Sequence, residues 1–145
     1  MRGKSIPDTD HVVRHTKGSN VHETGRVSGA AFMLRATTPP EEYLSVNWLE
    51  HLHPTDIAIQ TEKVRAEFAA NLKLSRTQRL LRLGIGNTRQ YVAQKMEGRS
   101  LAFHHEALPT SASHSGIYDC RPDQEMIADL IAETVIDIIA ATADK

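Results

Sequence analysis

Short apolar runs typical of strands alternate along the chain with longer segments of helical periodicity. The runs predict strands at residues 11–15, 30–34, 79–86 and 101–105. In residues 79–86, Leu81, Leu83 and Ile85 alternate with arginine and glycine, which favours a strand because glycines are poor helix formers. Ser75 followed by Gln78 is a helix-start signal and leaves a helix open as the alternative there.

Helical spacing is clearest in residues 57–72, where apolar side chains recur every three to four positions after a capping Thr55 or Asp56. A shorter helix is predicted at 45–52, because Asn47 and Glu50 have the spacing of a capping box. Asn87 begins another short helix that ends at Gly98. The last helix is predicted to run from Pro122 to Ile139 with one broad apolar face.

These elements predict an α/β (α+β) fold: a small mixed sheet of about four strands, covered by helices, with a long amphipathic C-terminal helix. Right-handed crossovers would make some strand pairs parallel. The chain has 145 residues, which suits one domain. Residues 1–9 are polar and contain Pro7, and we expect them to form a flexible tail ahead of a single globular domain at 10–145.

The charges nearly balance, with 17 basic and 18 acidic residues and a net charge of −1. The chain as a whole is therefore not attracted strongly to nucleic acid or to a membrane surface. The single Cys120 excludes a disulfide within the chain and a multi-cysteine zinc site. The longest apolar stretch, 135–141, is too short to span a membrane, and the first residues lack a signal-peptide core, so we expect a cytoplasmic protein.

Five of the eight histidines lie in two polar stretches, one near the start of the chain and one before the last predicted helix. Histidine titrates closest to neutral pH and acts as a general acid or base when a neighbouring group orients it. If folding joins the two stretches, they form one polar site. Its candidate catalytic residues are Asp10, His11, His105, Glu106 and His114.

Three further residues are candidates for binding. Arg14 and Arg121 lie beside the histidine stretches and would offset the charge of a phosphate group. Trp48 lies in an apolar segment and is the candidate contact to a partner, with a place in the core as the alternative. We predict no metal site and no cofactor, since the chain has no His-Glu-x-x-His motif and no other ligand spacing typical of zinc.

Three segments resemble a group of small uncharacterised bacterial proteins. They are Ile6-Pro7-Asp8-x-Asp10-His11-Val12, Tyr43-Leu44-Ser45-Val46-Asn47-Trp48-Leu49-Glu50, and His105-Glu106-Ala107-Leu108-Pro109 leading to Ser113-His114-Ser115-Gly116-Ile117. The third is similar to a His-Asp-Pro-Leu-Pro…His-Ala-x-Ile pattern of that group, with Glu106 and Ala107 in place of Asp-Pro. The resemblance implies no particular activity, but it implies that the two histidine stretches belong to one recurring plan.

The spacing of Arg99 and His104 resembles the Arg-x4–6-His signature of HEPN-type ribonucleases. That resemblance implies an arginine that steadies a phosphate and a histidine that transfers a proton. Ser100 stands where the family usually has Asn, Asp or His. The family is also all-helical, whereas residues 101–105 are predicted to be extended.

Two functions follow from these observations. The first is a small accessory or binding module that acts through a polar His/Asp surface on a protein partner, a second copy of the chain or a nucleic acid, since no complete catalytic signature is present. The alternative is a histidine-dependent, ribonuclease-like hydrolase acting on a phosphodiester or nucleotide. There His105 or His114 would be the general acid or base, oriented by Asp10 or Glu106. We expect no membrane contact.

Overall fold

The computed structural model describes residues 1–143, within which six strands form one sheet. The strands are β1 (His11–Thr16), β2 (Leu44–Trp48), β3 (Arg79–Gly84), β4 (Ala102–His105), β5 (His114–Tyr118) and β6 (Asp137–Ala140). The α-helices are α1 (Leu49–Leu52), α2 (Ile57–Asn71), α3 (Ile85–Lys95) and α4 (Gln124–Glu133), and 3-10 turns span Gly18–Asn20 and Gly29–Phe32. The fold is therefore a mixed α+β structure.

The strands lie in the order β4-β5-β2-β1-β3-β6, and every neighbouring pair is antiparallel. Successive side chains of a strand point to opposite faces of a sheet, so Val12 and Val13 of β1 enter different cores. The core around Val12 includes side chains from α3 and α4. The smaller core around Val13 includes Val64 of α2. Helices thus cover both faces, and α2 lies over the face that carries the site described below.

Several predicted elements are confirmed. β1, β3 and β4 lie where strands were expected, and α2 covers the predicted 57–72 segment. Asp56 begins α2 as expected, since its side chain accepts hydrogen bonds from the backbone N–H groups of Ala58 (2.9 Å) and Ile59 (3.1 Å).

The sheet prediction was wrong in number and in direction. The sheet has six strands rather than about four, and the expected parallel pairs are absent among residues 1–143. Residues 44–48 form β2 rather than the start of a helix, because Leu44 and Val46 enter one face while the intervening polar side chains face α2. Residues 114–118 form β5 where a turn-rich loop was expected.

Two more segments differ from prediction. Residues 30–34 lie in the 3-10 turn Gly29–Phe32 and its exit rather than in a strand, because Ser28 caps the turn through the N–H of Ala30. The long C-terminal helix is not formed: α4 ends at Glu133, and β6 then pairs with β3. The residues that follow α4 are rich in β-branched side chains, which favour strands and can cover a sheet face.

The N-terminal segment lies along β4, where the sequence predicted a flexible tail. The N–H of Ile6 donates to the carbonyl of Phe103 (3.0 Å), and the N–H of His105 donates to the carbonyl of Lys4 (2.7 Å). Ile6 is 3% exposed and belongs to the larger core. Of the predicted domain at 10–145, the last two residues lie outside the described part of the chain.

Candidate functional site

β1 and β2 separate after two paired positions, and an arginine occupies the gap. Val12 pairs with Trp48 and Val13 with Asn47, and no further pair of these two strands forms within residues 1–143. The guanidinium of Arg14 donates from Nη1 to the Ser45 carbonyl (2.8 Å) and from Nε to the Ala31 carbonyl (2.9 Å). Side-chain hydrogen bonds thus replace the backbone ladder at the point where the strands diverge.

A groove of about 470 Å³ opens beside this gap, between α2 and the sheet. Its volume lies within the usual range for small-ligand sites, roughly 300–1,000 Å³. Polar side chains come from three strands, from α2 and from the loop before β5, and apolar side chains form part of the rim. Its lining residues include Arg14, Ser45, Glu67, Phe68, Leu108 and His114. We call this site the α2 groove.

His114 is held in one orientation within the α2 groove. Its Nδ1 lies 2.9 Å from the backbone carbonyl oxygen of Glu106, which only accepts hydrogen bonds. Nδ1 therefore carries the proton, and in the neutral ring Nε2 is the acceptor. Nε2 lies 3.3 Å from Oγ of Ser45, so the serine hydroxyl donates to the imidazole. The pair has the form of a hydroxyl beside a base that a third group orients.

Glu67 of α2 supplies a fixed carboxylate in the same groove. Its Oε1 accepts from the hydroxyls of Ser111 and Ser113, both at 2.7 Å, and from Nδ2 of Asn47 at 3.3 Å. Asn47 also pairs with His114 across β2 and β5, which places side chains about 5 Å apart at Cβ. The carboxylate and the imidazole therefore belong to one site.

Arg14 is the permanent cation considered for this groove. Burial lowers the pKa of Arg14, the nearby Arg35 adds to this, and the Glu41 carboxylate opposes it. A guanidinium nevertheless stays protonated at neutral pH. None of the ion pairs found among residues 1–143 includes Arg14. The α2 groove therefore contains a cation whose charge is not neutralised by a directly paired carboxylate.

His15 also lines the α2 groove, where its ring stacks on Phe68 with 5.2 Å between centroids. Burial lowers the pKa of His15, a hydrogen bond from its ring to Gln78 opposes the change, and the charge of Arg14 adds to it. The ring is therefore held toward its neutral form beside the arginine.

A second group of predicted residues meets at Trp48. Its indole Nε1 donates to Oδ2 of Asp10 (2.9 Å), and its ring packs edge-on against His105 with 5.2 Å between centroids. His51 lies against both rings, and burial lowers the pKa of His51, as does the neighbouring His105. We call Asp10, Trp48, His51 and His105 the Trp48 cluster. It brings Asp10 of the first histidine stretch near His105 of the second, but no histidine of the first stretch belongs to it.

The structure does not bring all the predicted catalytic residues into one pocket. His105 pairs with Ser115, the residue after His114, so the two imidazoles project from opposite faces of the sheet. His11 is bound by Glu50, whose carboxylate accepts from its backbone N–H (2.7 Å) and contacts its Nδ1 (2.6 Å). Of the predicted catalytic set, only His114 lines the α2 groove.

Glu106 contributes through its backbone. Its carboxylate accepts from the Gly3 N–H (2.9 Å) and from the Tyr118 hydroxyl. Partial burial alone would raise the pKa of Glu106, but these hydrogen bonds and the nearby His104 outweigh it and lower the pKa. The carbonyl of Glu106, rather than its carboxylate, orients His114.

The other predicted positions lie elsewhere. Arg121 donates to the Glu41 carbonyl (2.7 Å) beside a separate small cavity and does not line the α2 groove. Arg99 donates to the carbonyls of Asp119 and Pro122, while the ring of His104 contacts the Gly3 carbonyl. The all-helical fold of HEPN-type ribonucleases is not the fold of this chain.

Other features of the described residues are less suited to chemistry. A larger cavity of about 850 Å³ lies between the 22–29 loop and the α4–β6 region. Two of its carboxylates are already engaged, Glu133 by the Tyr91 hydroxyl and Asp137 by Arg82. Within residues 1–143, no group of three or more His, Cys, Asp or Glu side chains is arranged to hold a metal ion. No helix in that range is long and apolar enough to cross a membrane.

Sequence reasoning missed Ser45, Asn47 and Glu67. Glu67 follows Val64 by three positions, so it lies beside the buried stripe of α2, which is a detectable signal for an inward-facing carboxylate. Ser45 and Asn47 alternate with buried Leu44 and Val46, a period of two that the predicted capping box obscured.

Comparison of the chain with protein-family models, with curated proteins and with solved structures found no match. The resemblance to the bacterial group therefore stays a prediction. The function has to be argued from the chemistry of the α2 groove and of the Trp48 cluster.

Proposed function

We propose that the chain is a binding module whose α2 groove takes a nucleotide through a phosphodiester group. The observation that carries this proposal is the guanidinium of Arg14, which lines the groove without an ion-pair partner among residues 1–143. A charge withdrawn from water without a partner is costly, and a bound anion offsets that cost. A planar guanidinium also matches the oxygens of a phosphate group.

The charge balance of the α2 groove favours a diester over a monoester. A phosphodiester carries one negative charge, whereas a phosphomonoester carries about −1.5 to −2 near neutral pH, as phosphorylated side chains do. Two arginines and two glutamates line the α2 groove, and Arg35 and Glu41 are paired with each other at 3.1 Å. The charge of Arg14 is therefore the one left for a ligand, and the Glu67 carboxylate repels a second negative charge on that ligand. A singly charged phosphate is therefore the better match.

The rim offers apolar surface for the rest of the ligand. Leu72 and Leu108 line the α2 groove and are 47% and 45% exposed, and Phe68 lies beside them. Large apolar side chains that remain open to solvent at a groove are typical of binding sites. The flat apolar face of a nucleoside base fits this rim while the phosphate contacts Arg14.

The Trp48 cluster is the other place where a partner could bind, as the accessory-module hypothesis expects. Its polar atoms are already hydrogen-bonded within the chain: Asp10 accepts from Trp48, and Nε2 of His105 contacts the Ala112 carbonyl at 2.7 Å. A protein or nucleic-acid partner there would have to displace these contacts. In the α2 groove, Arg14 uses Nε and Nη1 for backbone carbonyls, but its Nη2 has no hydrogen-bond partner among residues 1–143. An anion can bind that nitrogen without displacing a contact, and we therefore favour the α2 groove.

Titration calorimetry with a dinucleoside monophosphate tests the proposal. We expect binding by the wild-type protein and a loss of roughly 10- to 100-fold in affinity for Arg14→Gln, since hydrogen bonds to charged groups contribute about 1.5–3 kcal/mol. The exposed Arg76, outside the α2 groove, provides the matched control, and Arg76→Gln should bind as the wild type does.

A charge-reversal pair on the rim guards against misfolding of the Arg14 variant. Leu108 is 45% exposed, so Leu108→Lys and Leu108→Glu should both fold. The lysine should strengthen binding of the dinucleoside monophosphate and the glutamate should weaken it, with the gap narrowing as salt is added. No binding by the wild type, or equal affinities for these two variants, would refute the proposal.

A further inference from the structure

We propose that the α2 groove also cleaves the phosphodiester, with Ser45 as the nucleophile and His114 as the general base. This inference rests on the proposed binding function and adds a reaction to it. It assigns a chemical role to Ser45, which was not among the site residues predicted from the sequence. It also accounts for the orientation of His114.

The geometry of the Ser45–His114 pair supports this role. Oγ of Ser45 lies 3.3 Å from Nε2 of His114, and the Glu106 carbonyl holds the opposite ring nitrogen at 2.9 Å. A base fixed in this way presents its free lone pair to the hydroxyl, which is the arrangement that activates a serine. A distance of 3.3 Å is compatible with this role, because catalytic hydrogen bonds are often long in the free protein and shorten when substrate binds.

The surroundings of Ser45 differ from those of the neighbouring buried serines. The hydroxyl of Ser113 donates to Glu67, and that of Ser115 donates to the Ser113 carbonyl (2.9 Å). Ser45 is half-buried, lines the α2 groove and directs its hydroxyl toward the imidazole instead. Among these three serines, it combines access to a ligand with a base.

Arg14 is positioned to stabilise the transition state. Its Nη1 donates to the backbone carbonyl of Ser45, so the guanidinium lies beside the backbone of the residue that carries the proposed nucleophile. Negative charge grows on the non-bridging phosphate oxygens as the serine attacks. A guanidinium that is already desolvated stabilises this charge without further reorganisation of the site. The same arginine is therefore both a binding group and an electrostatic catalyst.

The proposed reaction has two balanced steps. In the first, Oγ of Ser45 bonds to phosphorus while the bond to one ester oxygen breaks, and the serine proton passes through Nε2 of His114 to the departing oxygen. The remaining ester is then attached to Ser45 as a diester. In the second, water attacks the same phosphorus, His114 takes its proton, and the proton returns to Ser45 as the P–Oγ bond breaks. The products are an alcohol and a phosphomonoester, and one water is consumed.

The test uses bis(p-nitrophenyl) phosphate, whose cleavage releases coloured nitrophenolate. We expect turnover by the wild type, and a nitrophenyl phosphate adduct that peptide mass spectrometry assigns to Ser45. His114→Gln should lose about 100- to 10,000-fold in rate, the usual effect of removing a general base. Ser45→Ala lacks the nucleophile and should lose at least as much and form no adduct. The exposed Ser19, away from the groove, provides the control, and Ser19→Ala should turn over normally.

Calorimetry with the same proteins separates the two proposals. Ser45→Ala should still bind the dinucleoside monophosphate within a few-fold of the wild type, because only a hydroxyl is removed. Binding without turnover by the wild type, or full turnover by Ser45→Ala, overturns the catalytic inference and leaves the binding function intact. Failure of the wild type to bind at all removes both.

Discussion

Truncation of Glu67 to alanine should destabilise the fold. Its Oε1 accepts the hydroxyls of Ser111 and Ser113 and Nδ2 of Asn47. These partners are 8%, 0% and 4% exposed, so water does not easily replace the lost acceptor. The carboxylate thus links α2 to β2 and to the loop before β5.

The size of the effect follows from the donors that remain. In Glu67→Ala, Asn47 still donates to both serine oxygens, at 3.1 and 2.9 Å, but the two hydroxyl protons lose their acceptor. A buried donor left unsatisfied costs about 1–3 kcal/mol. Because the α2 groove lets some water reach this space, we expect a loss near the lower end for each of the two hydroxyls, about 2 kcal/mol in total.

Urea unfolding followed by far-UV circular dichroism measures this change in the free energy of unfolding. Glu67→Gln keeps an acceptor oxygen and should lose only about 1 kcal/mol, the value of a neutral hydrogen bond against a charged one. The exposed Glu62 on the same helix is the matched control, and Glu62→Ala should change stability by less than about 0.5 kcal/mol. Equal effects of Glu67→Ala and Glu62→Ala would refute the reasoning.

Three further predictions concern packing and protonation. Gly116→Ala would place a Cβ against the ring of Tyr43, so we expect a loss of about 1–3 kcal/mol in urea unfolding; an unchanged midpoint would contradict this contact. Burial raises the pKa of Cys120 to about 11, so the thiol should react with a disulfide reagent near ~pH 8 only after unfolding, and rapid labelling of the folded protein would contradict its burial. Burial lowers the pKa of His15, so its stabilising effect is present above the unfolded pKa of about 6.5 and is lost as the pH falls through the folded pKa. The urea midpoint of His15→Gln should therefore fall less on acidification than that of the wild type, and parallel falls would show that His15 is not responsible.

Local patterns were sufficient for the elements whose signals do not depend on distant residues. α2 has apolar residues at helical spacing, of which Val64 is buried, and its own capping aspartate. β1, β3 and β4 are short apolar or alternating runs. Residues 135–139 carry apolar side chains at helical spacing, yet the edge strand β6 forms at Asp137–Ala140. β6 pairs with β3, which lies more than 50 residues earlier in the chain, as in the pair of Arg82 with Asp137. Local periodicity carries no information about a partner that far away.

The residues of the α2 groove also divide into those suggested by the sequence and those placed only by the tertiary structure. His114 and Arg14 were candidates from the sequence because their chemistry is visible there, and both line the α2 groove. Asp10 and His105 both contact Trp48 and do not line that groove, so the two stretches do not form the single site that was predicted. The face on which each histidine projects was not predictable, because a register shift of one residue reverses every side chain of a strand.

Residue types and local periodicity therefore determined the class of fold, its main helix and the polar groups available for chemistry. Tertiary structure alone decided which of those groups share a pocket, since antiparallel pairing of β2 with β5 and packing of α2 on one sheet face assemble Ser45, Glu67 and His114 from distant parts of the chain. The physical reason is that strand pairing depends on partners remote in sequence, while side-chain direction alternates with each residue along a strand.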